Sequence, residues 1–140
     1  MNATLFRNAR LIDPATDSDT KGDLLVEGDK IVAIGAKAAP AKIGADMEVI
    51  ECDGLVLSPG LIDLRVVTGE PGAEHKETLG TASQSAAAGG VTSFVVMPDT
   101  DPVIDEHTLV DFIKRRGRAR GEVHMRPAGA LTKGLDGKHM

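Results

Sequence analysis

Apolar and polar positions alternate through much of residues 4–50, which is the pattern of half-buried β-strands. The first run stops at Pro14. Two runs rich in β-branched residues follow in 23–35, on either side of Gly28. This arrangement predicts a β-hairpin that turns at residues 27–30, with Gly28 at a positive φ.

The pattern changes at Leu55, where a nearly unbroken apolar run begins. Such a run is typical of a strand that is buried on both faces. We expect Gly89 and Gly90 to end a first helix and Asp105 to cap a second one. The predicted order of elements is a strand in 55–67, a helix in 75–90, a strand in 91–98, a helix in 106–116 and a strand in 121–132.

Each predicted helix carries one stripe of residues that is expected to face the core. The stripes are Leu79, Ala82, Ala86 and Ala87 in the first helix, and Leu109, Phe112, Ile113 and Arg116 in the second. The alternation of strands and helices predicts an α/β fold with a parallel sheet and right-handed crossovers.

This array is shorter than a complete barrel. A (β/α)8 barrel typically needs about 250 residues, whereas this chain has 140. We therefore expect residues 55–140 to be the first βα units of an incomplete barrel, preceded by a β-rich module in residues 1–54. On this interpretation the sequence is a fragment of a longer protein.

Composition and charge exclude several classes of function. The net charge is −5 and aromatic residues make up 2%, whereas a nucleic-acid surface needs a basic excess and stacking platforms. Cys52 is the only cysteine, so no internal disulfide can form. No apolar run approaches the roughly 18 residues of a membrane span, and no leader peptide is recognisable. We expect a cytoplasmic protein with no nucleic-acid or membrane partner.

Four stretches together carry a family resemblance. They are SPGLIDL at 58–64, EPGAEHKET at 70–78, AAAGGVTSFVVMPDTDPV at 86–103 and ALTKGL at 130–135. Through them the sequence resembles the dihydroorotases of the amidohydrolase superfamily, specifically the larger bacterial type, over nearly its whole length. The resemblance implies a metal-dependent-hydrolase-type TIM barrel preceded by a small β-sandwich module. It also implies a zinc-dependent reaction of pyrimidine synthesis, the reversible interconversion of N-carbamoyl-L-aspartate and L-dihydroorotate.

The motif that binds the metal in that family is altered in this sequence. In the family the first barrel strand ends in Asp-x-His-x-His, followed two residues later by an arginine that binds a substrate carboxylate. Asp63 matches, but Arg65 and Val67 stand at the histidine positions and Gly69 at the arginine position. A guanidinium has no lone pair for a metal, and valine has no ligand atom. Asp99 replaces an asparagine that helps to hold the substrate, and its charge would repel an anion.

We therefore predict degenerate metal-site positions at Asp63, Arg65 and Val67 and degenerate substrate-site positions at Gly69 and Asp99. No catalytic residue and no metal cofactor are predicted, although the family uses zinc. One hypothesis is that the Arg65 guanidinium fills the vacated metal site and neutralises acids there. The alternative is a strand-end ion pair with Asp63 or Asp99, since a buried charge needs a partner.

The histidines do not suggest a second metal site. No two of His75, His107, His124 and His139 are separated by two or four residues, so no local pair of ligands is predicted. We expect His75 in the loop and first turn of the first helix.

Residues 114–120 contain five basic side chains. A solvated helix end, where cations complement the helix dipole, is the preferred interpretation. A docking face for an acidic partner is the alternative.

Three hypotheses for function follow. The preferred one is a catalytically inactive pseudoenzyme that is a structural partner of aspartate transcarbamoylase, because the resemblance extends to inactive dihydroorotase-like chains that assemble with that enzyme. The second is an active zinc-dependent cyclic amidohydrolase whose ligands lie beyond residue 140. The third is a module that binds a small ring or carboxylate without chemistry. We also expect a homo-oligomer.

Overall fold

The computed structural model describes residues 3–140, and the chain forms two compact units, Met1–Pro59 and Gly60–Met140. The division falls after Pro59 and not after residue 54, because a short strand at Val56–Leu57 pairs with the first strand of the chain. Among the described residues, no helix is both long enough and apolar enough to span a membrane.

The first unit is a mixed five-stranded sheet. Its strands are β1 (Ala3–Asp13), β2 (Ser18–Glu27), β3 (Lys30–Gly35), β4 (Met47–Glu51) and β5 (Val56–Leu57). The strand order is β3-β2-β1-β4, and β5 also pairs with β1. The predicted hairpin is confirmed, since Glu27 pairs with Lys30 across the β2–β3 turn and Gly28 has a φ of 62°.

A bulge in β1 interrupts the alternation that the sequence predicts. The register against β2 shifts between Phe6 and Ala9, and Asn8 has a φ of 61°. The backbone N–H of Asn8 donates to Asp23 Oδ1 at 2.9 Å. Because the bulge inserts one extra residue, Phe6 packs in the same apolar cluster as Ala9 and Leu11.

The second unit alternates strands and helices, as predicted. Its elements are β6 (Leu61–Val66), α1 (Leu79–Ala88), β7 (Val91–Val96), α2 (His107–Arg120), β8 (His124–Pro127) and a 3₁₀ turn at Lys133–Leu135. The three strands form a parallel sheet in the order β6-β7-β8. A mixed α/β fold is therefore confirmed, while closure into a barrel and a sandwich arrangement of the first unit stay predictions.

The core of the second unit lies between β7 and the two helices. Phe94, Val96, Leu79, Ile104 and Ile113 are almost completely buried there. Burying a side chain of this size stabilises the fold by about 1.5–3 kcal/mol.

The two helical stripes agree with the structure to different degrees. On α2, Ile113 is buried and Leu109 and Phe112 pack against the core, as predicted. On α1, Ala87 is exposed, and Ser83 is buried. The hydroxyl of Ser83 accepts hydrogen bonds from the backbone N–H groups of residues 122 and 123, which directly precede β8, at 2.7 and 3.0 Å.

Both helices begin at positions that differ from the predictions. Thr78 is the N-cap of α1 and exchanges hydrogen bonds with Thr81 in a capping box, so His75 lies in the preceding turn. Asp105 does not cap α2 and instead accepts a hydrogen bond from Gly134 N at 2.8 Å. The N-cap of α2 is Glu106, whose side chain makes no capping bond.

The prediction that β6 is buried on both faces is wrong for this chain. Leu61, Ile62 and Leu64 are 60%, 66% and 70% exposed. The reason is that, within residues 3–140, neither helix packs closely against the faces of β6, whose one neighbour in the sheet is β7.

Candidate functional site

The positions that resemble a metal site lie at the end of β6, where the strand is irregular. Asp63 pairs with Phe94 and Val66 with Val96, so a step of three positions along β6 lies opposite a step of two positions along β7. The regular alternation of side chains between the two faces of the sheet is therefore interrupted between Asp63 and Val66. The carboxylate of Asp63 accepts the backbone N–H of Arg65 at 2.9 Å, which satisfies the donor that the irregularity frees.

Asp63 borders a small cavity beside α1. The cavity has a volume of about 230 Å³ and is also lined by Val66, Ala82 and Phe94. Glu77 lines the same cavity. Two carboxylates without a histidine or cysteine are a weak donor set for zinc, which prefers nitrogen and sulfur ligands.

Arg65 and Val67 are both exposed, Val67 at 58%. Within residues 3–140, the Arg65 side chain makes no ion pair, and Asp99 is likewise exposed after β7. The alternative of a strand-end ion pair between Arg65 and Asp63 or Asp99 is therefore not seen in the described part of the chain. The hypothesis that the guanidinium fills the old metal site stays a prediction.

The backbone leaves no space for a side chain at Gly69. A Cβ atom built there would lie 2.3 Å from the carbonyl oxygen of Ala73 and 2.6 Å from that of Glu77. The backbone N–H of Ala73 also donates to the carbonyl of Gly69, which closes the loop on itself. An arginine, which the family resemblance implies at this position, could not be accommodated here without a shift of the main chain.

Glu70 is a buried carboxylate that the sequence analysis missed. Its side chain is 3% exposed, and Oε1 accepts from Arg116 Nε at 2.6 Å. Oε2 accepts the backbone N–H of Leu79, the first residue of α1, at 2.9 Å. The available signal was Arg116, because an arginine on an otherwise apolar helical stripe requires an acidic partner in the core.

The Glu70 contacts tie three segments together. Thr68 Oγ1 donates to the Glu70 carbonyl at 3.1 Å, and the Arg116 guanidinium lies 5.7 Å from the centroid of the Phe112 ring. The loop after β6 is thereby attached to the first turn of α1 and to α2. Both carboxylate oxygens are engaged in these contacts, so Glu70 acts as a structural anchor.

The neighbouring Glu74 is exposed but held locally. Its pKa is lowered because the carboxylate accepts hydrogen bonds from its own backbone N–H and from that of Gly72, the latter at 3.1 Å. It stays ionised and stabilises the turn before α1.

The residues present do not fit a zinc ion. Among residues 3–140, no group of three or more histidine, cysteine, aspartate or glutamate side chains is arranged to hold a metal. The histidines at 75, 107, 124 and 139 are all exposed and lie in different segments.

Comparison with known proteins identifies the family. The family model described as dihydro-orotase-like matches residues 54–140. A dihydroorotase of Wolbachia sp. subsp. Drosophila simulans is 52% identical over 91% of this chain and 28% of its own length. A protein of Pseudomonas aeruginosa named dihydroorotase-like protein is 45% identical over 96% of this chain and 31% of its own. The chain belongs to the dihydroorotase-like family of the amidohydrolase superfamily.

The fold comparison agrees with this assignment. The solved structure of L-hydantoinase (dihydropyrimidinase) from Arthrobacter aurescens superposes with a TM-score of 0.80 at 26% sequence identity. The match covers 92% of this chain and 28% of that structure. The chain thus spans less than a third of the length of the proteins it matches.

Proposed function

We propose that this chain is a catalytically inactive dihydroorotase-like protein of pyrimidine biosynthesis and a structural partner of aspartate transcarbamoylase. The observation that carries the proposal is the presence of Arg65 and Val67 at the two positions where the family has metal-binding histidines. Neither side chain can donate an electron pair to a cation.

The remaining substitutions affect the same reaction. Zinc supplies this chemistry by polarising the substrate carbonyl and activating water. Because neither Arg65 nor Val67 can coordinate zinc, this part of the chain supplies neither effect. Gly69 cannot bind a carboxylate, and the backbone over it prevents a larger residue. Asp99 would repel an anionic substrate.

A role in assembly is supported by what the chain retains. The second unit has a close-packed core around Phe94 and a buried anchor at Glu70, although Arg65 and Val67 offer no ligand atom for a metal. A protein that serves as a scaffold needs its shape and surface and has no need of the metal. A relative at 45% identity carries the name dihydroorotase-like protein.

An active zinc-dependent dihydroorotase is the alternative. It is favoured by the relatives at 52% and 48% identity that are named dihydroorotase. In that case the metal ligands would have to come from residues beyond 140.

Metal content and assembly distinguish the two proposals. Full-length protein is purified without chelators, zinc is measured by elemental analysis, and turnover of N-carbamoyl-L-aspartate is assayed. The same preparation is mixed with aspartate transcarbamoylase and passed over a sizing column. We expect substoichiometric zinc, no turnover and co-elution. Stoichiometric zinc with turnover would support the alternative, and separate elution would contradict the partnership.

A further inference from the structure

The outward face of α2 carries a cluster of positive charge. Lys114, Arg115 and Arg118 line one shallow groove along this helix, with a volume of about 500 Å³. Arg115 and Arg118 are exposed and Lys114 is half-buried. We call these three residues the basic face.

The opposite side of α2 explains why these residues point outward. Ile113 and Gly117 are buried, and Phe112 packs against the core. Arg116 is directed inward and is neutralised by Glu70 at 2.6 Å. Of the basic residues in the C-terminal half of α2, Arg116 therefore has an internal role, whereas those of the basic face do not.

The positive charge of the basic face is not compensated within the described chain. None of its residues takes part in an ion pair within residues 3–140. Lys114 and Arg118 are four residues apart and Arg115 and Arg118 three apart, so they repel one another on the helix surface. Asp111 lines the same groove, but a single carboxylate leaves an excess of positive charge.

The helix dipole accounts for only part of this cluster. Its influence falls off within the last turn of a helix, and α2 ends at Arg120. Arg118 lies in that turn, but Lys114 and Arg115 lie further back. The cluster occurs in a chain of net charge −5, so it is a local excess and not a reflection of overall composition.

We infer that the basic face is a docking surface for an acidic protein surface, an exposed helix or loop rich in aspartate and glutamate. The inference rests on the proposed function, in which this chain is a structural partner of a second protein. The groove is shallow and is lined mainly by exposed polar and charged side chains, which suits a protein surface and its solvated rim. Rim charges of this kind accelerate association and make it sensitive to salt.

A charge reversal in full-length protein tests the inference. The test variant combines Lys114→Glu, Arg115→Glu and Arg118→Glu. The matched control combines Lys76→Glu, Lys133→Glu and Lys138→Glu, which are exposed lysines of the same unit and give the same change in net charge. Circular dichroism and thermal unfolding verify that both variants remain folded.

Affinity for aspartate transcarbamoylase is measured by titration calorimetry at low and high salt. We expect the test variant to bind at least about tenfold more weakly than wild type at low salt, and the control to bind within about twofold. Wild-type affinity should fall with salt, whereas that of the test variant should rise, because salt screens the repulsion between its three glutamates and the acidic surface.

The outcomes separate the two proposals. If wild type binds and the test variant has the same affinity as wild type at each salt concentration, the proposed docking surface is wrong and the partnership stands. If the control weakens binding as much as the test variant, only net charge matters and the docking surface is again wrong. If wild type does not bind, the partnership fails and the inference that rests on it fails as well.

Discussion

The backbone of the loop after β6 closes over Gly69. Carbonyl oxygens of Ala73 and Glu77 occupy the space that a Cβ atom would need, at 2.3 and 2.6 Å. Backbone atoms cannot move aside as a flexible side chain can. The conformation of this loop thus excludes any side chain at position 69.

Replacement of Gly69 by alanine should destabilise the fold by about 1–3 kcal/mol, as expected for overpacking against a rigid neighbour. Urea unfolding of full-length protein measures the change. Gly129→Ala is the control, because its Cβ would lie 4.0 Å from the nearest atom. Equal stability of Gly69→Ala and the control would show that the loop adapts easily.

Arg65 and Val67 are the positions at which the family resemblance implies metal ligands, and their replacement tests whether the backbone presents a metal site. The double variant Arg65→His with Val67→His should gain zinc affinity, measured by competition with a chromogenic chelator. It should not gain turnover, since Gly69 and Asp99 are unchanged. The control is Arg65→Gln with Val67→Gln, because amides are poor zinc ligands. Failure to gain zinc would indicate that the irregular end of β6 no longer directs both positions towards one ion.

At the scale of elements, two buried polar side chains connect the helices to the segments that adjoin the strands of the parallel sheet. Glu70 joins the loop after β6 to α1 and α2. The Ser83 hydroxyl joins α1 to the residues before β8. Both groups are less than 4% exposed, so each stabilises the arrangement only as long as its partners are present.

Loss of the Glu70 carboxylate should separate the loop from both helices. We expect Glu70→Ala to destabilise full-length protein by about 2–3 kcal/mol, because Arg116 and the first N–H of α1 lose their acceptor. Arg116 is 38% exposed, and its partial hydration keeps the cost below that of a fully buried charge. Differential scanning fluorimetry and urea unfolding measure the effect.

Glu106→Ala is the matched control for this substitution. Glu106 also precedes a helix, but its side chain makes no capping hydrogen bond. It should change the free energy of unfolding by no more than about 0.5 kcal/mol. A similar small effect for Glu70→Ala would mean that the anchor contributes little.

At the scale of the molecule, the free edge of β6 is the main exposed apolar feature of the second unit. Leu61, Ile62 and Leu64 are at least 60% exposed on a strand that pairs on one side only within residues 3–140. Exposed apolar edges of this kind favour pairing with another strand.

The 140-residue chain should therefore self-associate in a concentration-dependent manner through this edge. Leu64→Lys should shift sedimentation velocity profiles towards the monomer, because an edge lysine opposes strand pairing. Leu131→Lys is the control, since Leu131 is 79% exposed and lies outside the strands. Equal association of both variants would place the contact elsewhere.

Local patterns were sufficient for the order of elements. The hairpin at Gly28, the parallel strand–helix alternation and the inward stripe of α2 depend on turn chemistry and periodicity, which act between residues close in sequence. The predicted helix starts were less accurate. The first helix was predicted from residue 75 but has Thr78 as its N-cap, and the second was predicted to be capped by Asp105 but has Glu106 at that position. The bulges in β1 and β6 could not be foreseen, since they depend on the partner strand.

The chemistry of single side chains already decided that Arg65 and Val67 cannot bind zinc, whatever their surroundings. Which carboxylate would anchor the core, and that Gly69 has no space for a side chain, depended on contacts between residues far apart in sequence. Glu70 and Arg116 are separated by 46 positions, and no local pattern relates them. Such pairings arise only when the folded chain brings the groups together, because burial and close backbone approach are properties of the packed structure.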